Sequence, residues 1–276
     1  MIVNAIKRGK QVVFPTLADM LSTMDGKTPA YRDNGLRDWH GTDNLQEAVN
    51  LAREGWTHGR KTVEDILGRL ESSLQQVAQD MVMETTHDVV GAYPDMGRFM
   101  EGEPECMVQF LPETDTTSGQ VTRLLIDNGA CAKYSADWMT RRAGAVTALV
   151  QALTMVGKSV EVWVASPVEI GGKIHDTVVC VHQAGQPLSV DAIAFCLGHP
   201  AMLRRMMFEC RADRTMGHAS GMGGTYGKHL PETLEYVQPH IVIQRAENEP
   251  KTVPDPADRP LEWVRFQLQK LGLLPE

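Results

Sequence analysis

No stretch of this 276-residue chain approaches the roughly 18 to 20 consecutive apolar residues that a membrane-crossing helix needs. The opening residues MIVNAIKRGKQVVF contain neither the apolar core nor the small-residue cleavage site of a secretory signal. Both absences lead to the expectation of a cytoplasmic protein with no membrane partner. The five cysteines, Cys106, Cys131, Cys180, Cys196 and Cys210, are odd in number, scattered, and never spaced C-x-x-C. That excludes a disulfide framework and a zinc knuckle and leaves reduced, mostly buried thiols. Excess positive charge is missing too. A formal net charge of −8 argues against a protein that simply coats nucleic acid.

A nucleotide-hydrolysing loop is also missing. The segment GMGGTYGKHL suggests one, but a P-loop requires G-x-x-x-x-G-K-[ST]. Counting back five from Gly227 reaches Met222, and Lys228 is followed by His229. No apolar strand leads into the segment. His175 and His182 stand at an odd separation along one strand, so they face opposite sides and cannot share a metal unless the strand bulges. No Ser/His/Asp, Cys/His or paired-carboxylate set can be assembled from spacing, so the expectation is a protein that is not an enzyme and that needs no cofactor.

What the chain does contain is uneven charge and clear periodicity. From Gly198 to His229 there are five Lys/Arg against two acids, whereas from Arg98 to Asp115 there are five acids against one Arg. The first 40 residues hold one short apolar patch, VVF, in polar and Gly-rich surroundings, and read as an irregular entry. Asp43, with Gln46 three residues on, reads as a helix cap. Val63, Ile66, Leu67, Leu70, Leu74, Val77 and Met81 then repeat at helical spacing. CMVQFLP is a short strand candidate.

The centre of the chain has a clearer order. VTRLLID reads as a buried strand, and Ser135 caps a helix striped by Met139, Ala143, Val146, Leu149, Val150 and Leu153, which Gly157 stops. SVEVWVAS follows as a strand with Val160, Val162 and Val164 on one face. Strand, about twenty residues of helix, and strand make a parallel crossover unit. DTVVCVHQ predicts a third strand paired as a hairpin with the second. Short helices follow from Ser189 and Pro200, then HIVIQ as a last strand. Leu261, Val264, Leu268 and Leu271 form a terminal amphipathic helix after a Pro-rich linker.

Ligands collect at the carboxyl ends of the strands in such sheets, where Asp127 lies in LLIDNGACAKYS. Lys133 and the pair Arg141 and Arg142 lie near that edge. Arg204 and Arg205 could extend the surface, and Arg214, Tyr226 and Lys228 sit on the Gly-rich segment. A helix start with added cations is an anion site. Tyr134, Trp138 and Tyr226 could stack on unpaired bases, the chemistry of single-strand binding, although Trp138 equally fits a core position. The Gly-rich loop has two readings, a surface loop with no further role or a wrap for an extended anionic partner.

The order strand, Asp127, small-residue turn, helix resembles the von Willebrand factor A fold, a Rossmann-like central sheet flanked by helices. Its metal-ion-dependent adhesion site begins D-x-S-x-S. The matching positions here are Asp127, Asn128, Gly129, Ala130 and Cys131, so both serines are lost. A glycine offers no side-chain oxygen and a thiol suits magnesium poorly, which implies a degenerate site without metal. This resemblance implies an α/β domain over 113–246, an irregular and helical extension over 1–112, and a linker and terminal helix over 247–276. The blocks WHGTDNLQEAVNLAREGW, GRFMEGEPECMVQF, RRAGAVTALVQALTMVGKSVEVWV and LGHPAMLRRMMF, within residues 39 to 208, resemble a phage and prophage family of unassigned function. Phage proteins of this type include factors that bind single-stranded DNA and help an RNA polymerase find promoters. The resemblance therefore implies an accessory factor in phage transcription or replication, with single-stranded DNA and a phage or host RNA polymerase as partners in an infected cell. The alternative is a protein-protein adaptor with the same fold and no nucleic-acid binding.

Overall fold

A computed structural model describes residues 6–8, 11–30, 37–80, 85–90, 93–110, 121–129, 134–170, 173–212, 225–226, 236–244 and 250–274. In chain order the strands are β1 (Ile6–Arg8), β2 (Gln11–Phe14), β3 (Thr85–Asp88), β4 (Tyr93–Pro94), β5 (Met107–Phe110), β6 (Thr122–Asp127), β7 (Val160–Ala165), β8 (Val168–Ile170), β9 (Lys173–His182), β10 (Thr225–Tyr226) and β11 (Ile241–Ile243). The helices are α1 (Leu17–Met24), α2 (Arg37–His40), α3 (Leu45–Glu54), α4 (Thr57–Asp80), α5 (Met96–Glu101), α6 (Ala136–Met155), α7 (Val190–Ile193), α8 (Phe208–Ala212) and α9 (Pro260–Lys270). Two π-helical turns, Ala194–Gly198 and Met202–Met207, lie between α7 and α8. No helix among the described residues is long and apolar enough to cross a membrane.

The central sheet is mixed and runs in the order β1-β2-β9-β7-β6-β11, with β8 and β10 as an added ribbon beside β9. β6, α6 and β7 form the expected crossover: Leu124 stands opposite Val162 and Ile126 opposite Val164 in a parallel pair. β9 runs antiparallel to β7, and β11 extends the parallel edge beside β6. Alternation sorts the side chains. Phe14, Leu124, Ile126, Val160, Val162, Val164 and Val179 join the main core with the helices. Val13, Leu125, Trp163, Val178 and Cys180 pack on the other face with Val237.

The N-terminal stretch corrects the expectation of an irregular entry. Gln11–Phe14 is buried and lies parallel to β9, with Val12 opposite Thr177. Its three apolar residues satisfy both faces of an interior strand, which leaves no alternation for the sequence to display. The strand is part of the central sheet, so the boundary at 113 does not separate an extension from an α/β domain. α4 and α9 likewise pack their apolar faces on the same core. Capping of α3 also moves by one residue: Asn44, not Asp43, accepts from the N–H of Glu47.

α6 sets the spacing of the helical layer. Ser135 caps it by accepting from the Trp138 N–H, and nearly every residue from Trp138 to Val150 is buried. A helix enclosed on all sides needs small residues where neighbours come closest. At Gly144 an added Cβ would stand 2.6 Å from Cδ1 of Ile66 on α4. At Gly198, which ends the first π-helical turn, it would stand 3.1 Å from the backbone Cα of Thr140 on α6. A second, three-stranded antiparallel sheet, β3-β5-β4, carries α5 immediately after β4. Asp95 caps α5 by accepting from the N–H groups of Gly97 and Arg98.

Gly144→Ala should destabilise the fold by about 1–3 kcal/mol through overpacking, less the roughly 1 kcal/mol gained by replacing glycine in a helix. Ile66→Val removes the Cδ1 that the new methyl meets. The double variant should therefore be more stable in urea unfolding than the sum of the two single changes. Additive losses would refute the contact.

Candidate functional site

Sequence reasoning singled out the carboxyl edge of the sheet, and buried polar side chains gather there. β6 ends at Asp127, whose side chain is 4 % exposed. Its Oδ1 accepts the N–H of Gly129 at 2.7 Å, which folds the chain back at the strand end. Asn128 is buried; its side-chain amide donates to the carbonyl of Cys196 at 3.0 Å and ties the strand end to the first π-helical turn. Across the sheet β7 ends beside Ser166, whose N–H donates to the carbonyl of Thr177 on β9.

Three residues that sequence spacing did not single out complete this cluster: Ser166, Asp176 and Arg211. Asp176 on β9 is buried, and burial first, then the negative charge of Asp127, pushes its carboxyl up to about 8. Arg211 opposes that shift. The guanidinium of Arg211, on the last turn of α8, is itself buried and donates to the carbonyl of Ser166 at 2.8 Å and to its hydroxyl. Positive charge is therefore supplied beside Asp176 by a side chain of the protein. The charge of Asp127 acts on Asp176, and one of the Asp127 oxygens is already engaged by Gly129. No group of three or more His, Cys, Asp or Glu side chains placed to hold a metal occurs among the described residues. Asp176 and Arg211 lie about 50 and 80 residues beyond Asp127 in sequence, so no local motif announces the cluster.

The cationic residues expected to form an open surface are placed differently. Arg142, Arg204 and Arg205 are only 4, 6 and 3 % exposed. Arg142 donates to the carbonyl of Asp127 from both terminal nitrogens, at 3.2 Å each, and to the carbonyl of Gln244 at 2.7 Å. It joins the ends of β6 and β11. Arg204 donates to the carbonyl of Trp39 at 2.7 Å and stacks over that indole. Arg205 donates to the carbonyl of Thr42. These three guanidiniums satisfy buried carbonyls, and the expectation that they line a solvent-facing anion surface is corrected accordingly. Arg141 is the outward member of its pair, held by Asp137 at 3.0 Å and Asp258 at 2.7 Å. The backbone of Tyr226 pairs with Val168 in the β10 and β8 ribbon. Lys133, Arg214 and Lys228 lie outside the described residues. Trp138 is largely buried and donates from Nε1 to Asp255 at 3.4 Å, with Tyr134 against its ring at 4.3 Å between centroids.

Sequence reasoning also missed an apolar surface. Met155 aside, the exposed large apolar side chains among the described residues are Val89, Val90, Met96, Phe99 and Met100, all within one short stretch. Met96, Phe99 and Met100 are spaced i, i+3, i+4 on α5 and share one helix face. Asp88 and Pro94 both stand opposite Met107 of β5, one on each side, so the turn with Val89 and Val90 and the start of α5 lie at the same end of this sheet. Around them are Asp88, Asp95, Glu101, Glu103 and Glu105, against the single cation Arg98, which pairs with Glu103 at 3.3 Å. Asp95 also meets Nε2 of His87 at 3.2 Å. Its carboxyl lies below the ordinary range, first through the Arg98 N–H and then through His87 and the Gly97 N–H.

A family model described as a domain of unknown function, DUF7192, matches residues 6–274, and the chain belongs to that family. No curated protein and no solved structure matches it.

Asp176 generates a pH signature. An unfolded aspartate releases its proton near pH 4, whereas the buried one keeps it up to about 8. Stability contributed by the neutral carboxyl is fully present below about pH 4 and is lost as pH rises through the folded value. Asp176→Asn carries no proton to lose. Its unfolding midpoint should gain on that of the parent chain from pH 5 to pH 8. Parallel midpoints across that range would show that Asp176 is charged in the fold throughout.

Proposed function

We propose that this protein is a non-enzymatic adaptor whose contact surface is the apolar, acid-rimmed face of α5 and the adjoining β3 to β4 turn. The partner that suits this face is a protein segment with an apolar ridge flanked by Lys or Arg. The observation that carries the reading is the gathering of Val89, Val90, Met96, Phe99 and Met100 in one exposed stretch. Large apolar side chains grouped on a surface mark contact sites, whereas scattered ones do not. The surrounding carboxylates select against phosphate and for a cationic rim.

Two further points support an adaptor over single-stranded DNA binding. Arg142, Arg204 and Arg205 are spent on carbonyls inside the fold. The resemblance to von Willebrand factor A domains, many of which are adaptors, adds an independent argument, and a phage or prophage setting with an RNA polymerase as partner is compatible with it. The carboxyl edge then stabilises the fold and the small sheet makes the contact.

The test uses two synthetic amphipathic helices, one with a Leu face and Lys flanks and one with Glu in place of Lys. The Lys peptide should bind the full chain, weaken as salt rises, and be lost with Phe99→Glu combined with Met100→Glu. The Glu peptide should not bind. Equal binding of the two peptides, or unchanged binding by the variant, would overturn the reading. So would a dimer in light scattering that the double variant dissolves, because the face would then be covered by a second copy.

A further inference from the structure

A cleft of about 250 Å³ lies between the start of α6, the end of β11 and the segment that leads into α9. Three cations line it: Arg142 from α6 and, eight residues apart on the segment that leads into α9, Lys251 and Arg259. Arg142 is already fixed by the carbonyls of Asp127 and Gln244, so its charge is held in place at the inner end. Lys251 and Arg259 are exposed. The single carboxylate in the lining, Asp255, is turned to other donors. Its Oδ1 accepts from the N–H groups of Ala257 at 2.8 Å and Asp258 at 3.3 Å, and its Oδ2 from Nε1 of Trp138. Arg259 also pairs with Glu262 at 3.0 Å, outside the lining, so the lining itself carries three cations against one carboxylate, on a protein whose total charge is −8.

The remaining walls are apolar: Trp138, Ile243, Val253 and the two prolines Pro254 and Pro256. Apolar walls lower the local dielectric and strengthen the attraction of the cations for an anion. α9 opens at this wall with Pro260 in its first turn, and its N-cap, Arg259, makes no side-chain cap bond. The positive end of the helix adds to the cations, offset in part by Glu262 in its first turn.

We infer that this cleft is a binding site for a phosphate group, independent of the adaptor surface on α5. A phosphate offers several acceptor oxygens to the separate donors of these cations, which a spherical monovalent ion does not. The same chemistry could come from a small phosphate ester or from the backbone of a nucleic acid. The cleft favours the small ester, because its volume is that of a compact ligand and the neighbouring surface carries Asp137 and Asp258 around Arg141.

The experiment is calorimetric titration of the full chain at constant ionic strength with three probes: inorganic phosphate, phenyl phosphate and a short oligothymidylate. Lys251→Glu combined with Arg259→Gln is the variant, since both side chains are exposed, glutamine sets no second carboxylate beside Glu262, and Arg142 is left to hold the strand ends. Phenyl phosphate should bind, and the variant should bind it about tenfold more weakly or worse, with its thermal midpoint in the absence of ligand lowered only slightly by loss of the exposed Arg259–Glu262 pair. Oligothymidylate should bind no tighter than inorganic phosphate. If it binds tighter than phenyl phosphate and is equally sensitive to the variant, the phosphate is that of a nucleic acid, and the small ester is ruled out. No heat with any probe, or equal affinity in the variant, would overturn the site. Peptide binding at α5 is a separate readout, so either reading can fail alone.

Discussion

The burial of α6 on every side governs the rest of the molecule. It lies between the sheet and a layer made of α4, α9 and the first π-helical turn, and it has almost no solvent face from Trp138 to Val150. A helix so enclosed can be approached closely only where it is small, and Gly144 is where Ile66 of α4 comes in. The reverse holds at Gly198, a small residue on the π-helical turn that lets it rest against the backbone of Thr140. Close packing of this kind transmits any added volume to several elements at once. The carboxyl edge inherits its geometry from that arrangement, since the same helix that carries the buried apolar stripe also carries Arg142 to the ends of β6 and β11.

Arginines act here as internal connectors. Arg142, Arg204, Arg205 and Arg211 each hold at least one main-chain carbonyl from a distant part of the chain. A planar fork of donors suits this task, because one side chain can satisfy two acceptors that no helix or ladder reaches. Two of these four arise on the π-helical turn Met202–Met207 and reach back to the segment around Trp39 and Thr42. The wider turn changes which side chains share a face, so that neighbouring arginines can both point inward. His199, between the two π-helical turns, is buried against Trp56 and Phe195, and burial pushes it down to about 4. It is a neutral core residue.

The crossover at the centre was legible because its signals are local. VTRLLID and SVEVWVAS show strand patterns, Ser135 is a cap three residues ahead of the N–H it accepts, and Gly157 stands where the helix stops. β2 was not legible, since three apolar residues in polar surroundings look like a stray patch until β9 supplies a partner. The arginines were misread for a related reason. Sequence gives their charge but not the carbonyls they reach, and Arg142 enters a helix whose neighbours Ala143, Val146 and Leu149 already declare it buried. Asp127 was recognised as a strand-end carboxylate. Its companions Asp176 and Arg211 were not, because only the folded sheet brings β9 and α8 to it. The exposed side chains of α5 escaped notice because a six-residue helix is too short to show periodicity of its own.

The position of β2 has a bearing on how the chain is made. Val12 and Phe14 find their places beside Thr177 and Val179, more than half the chain away. During synthesis the VVF segment can pair only with β1 until β9 has left the ribosome, so one of its edges stays open. The sheet closes on this short ribbon only through a contact distant in sequence, a step of the kind that slows folding. An early apolar, strand-prone segment with one edge open is a natural target for chaperones.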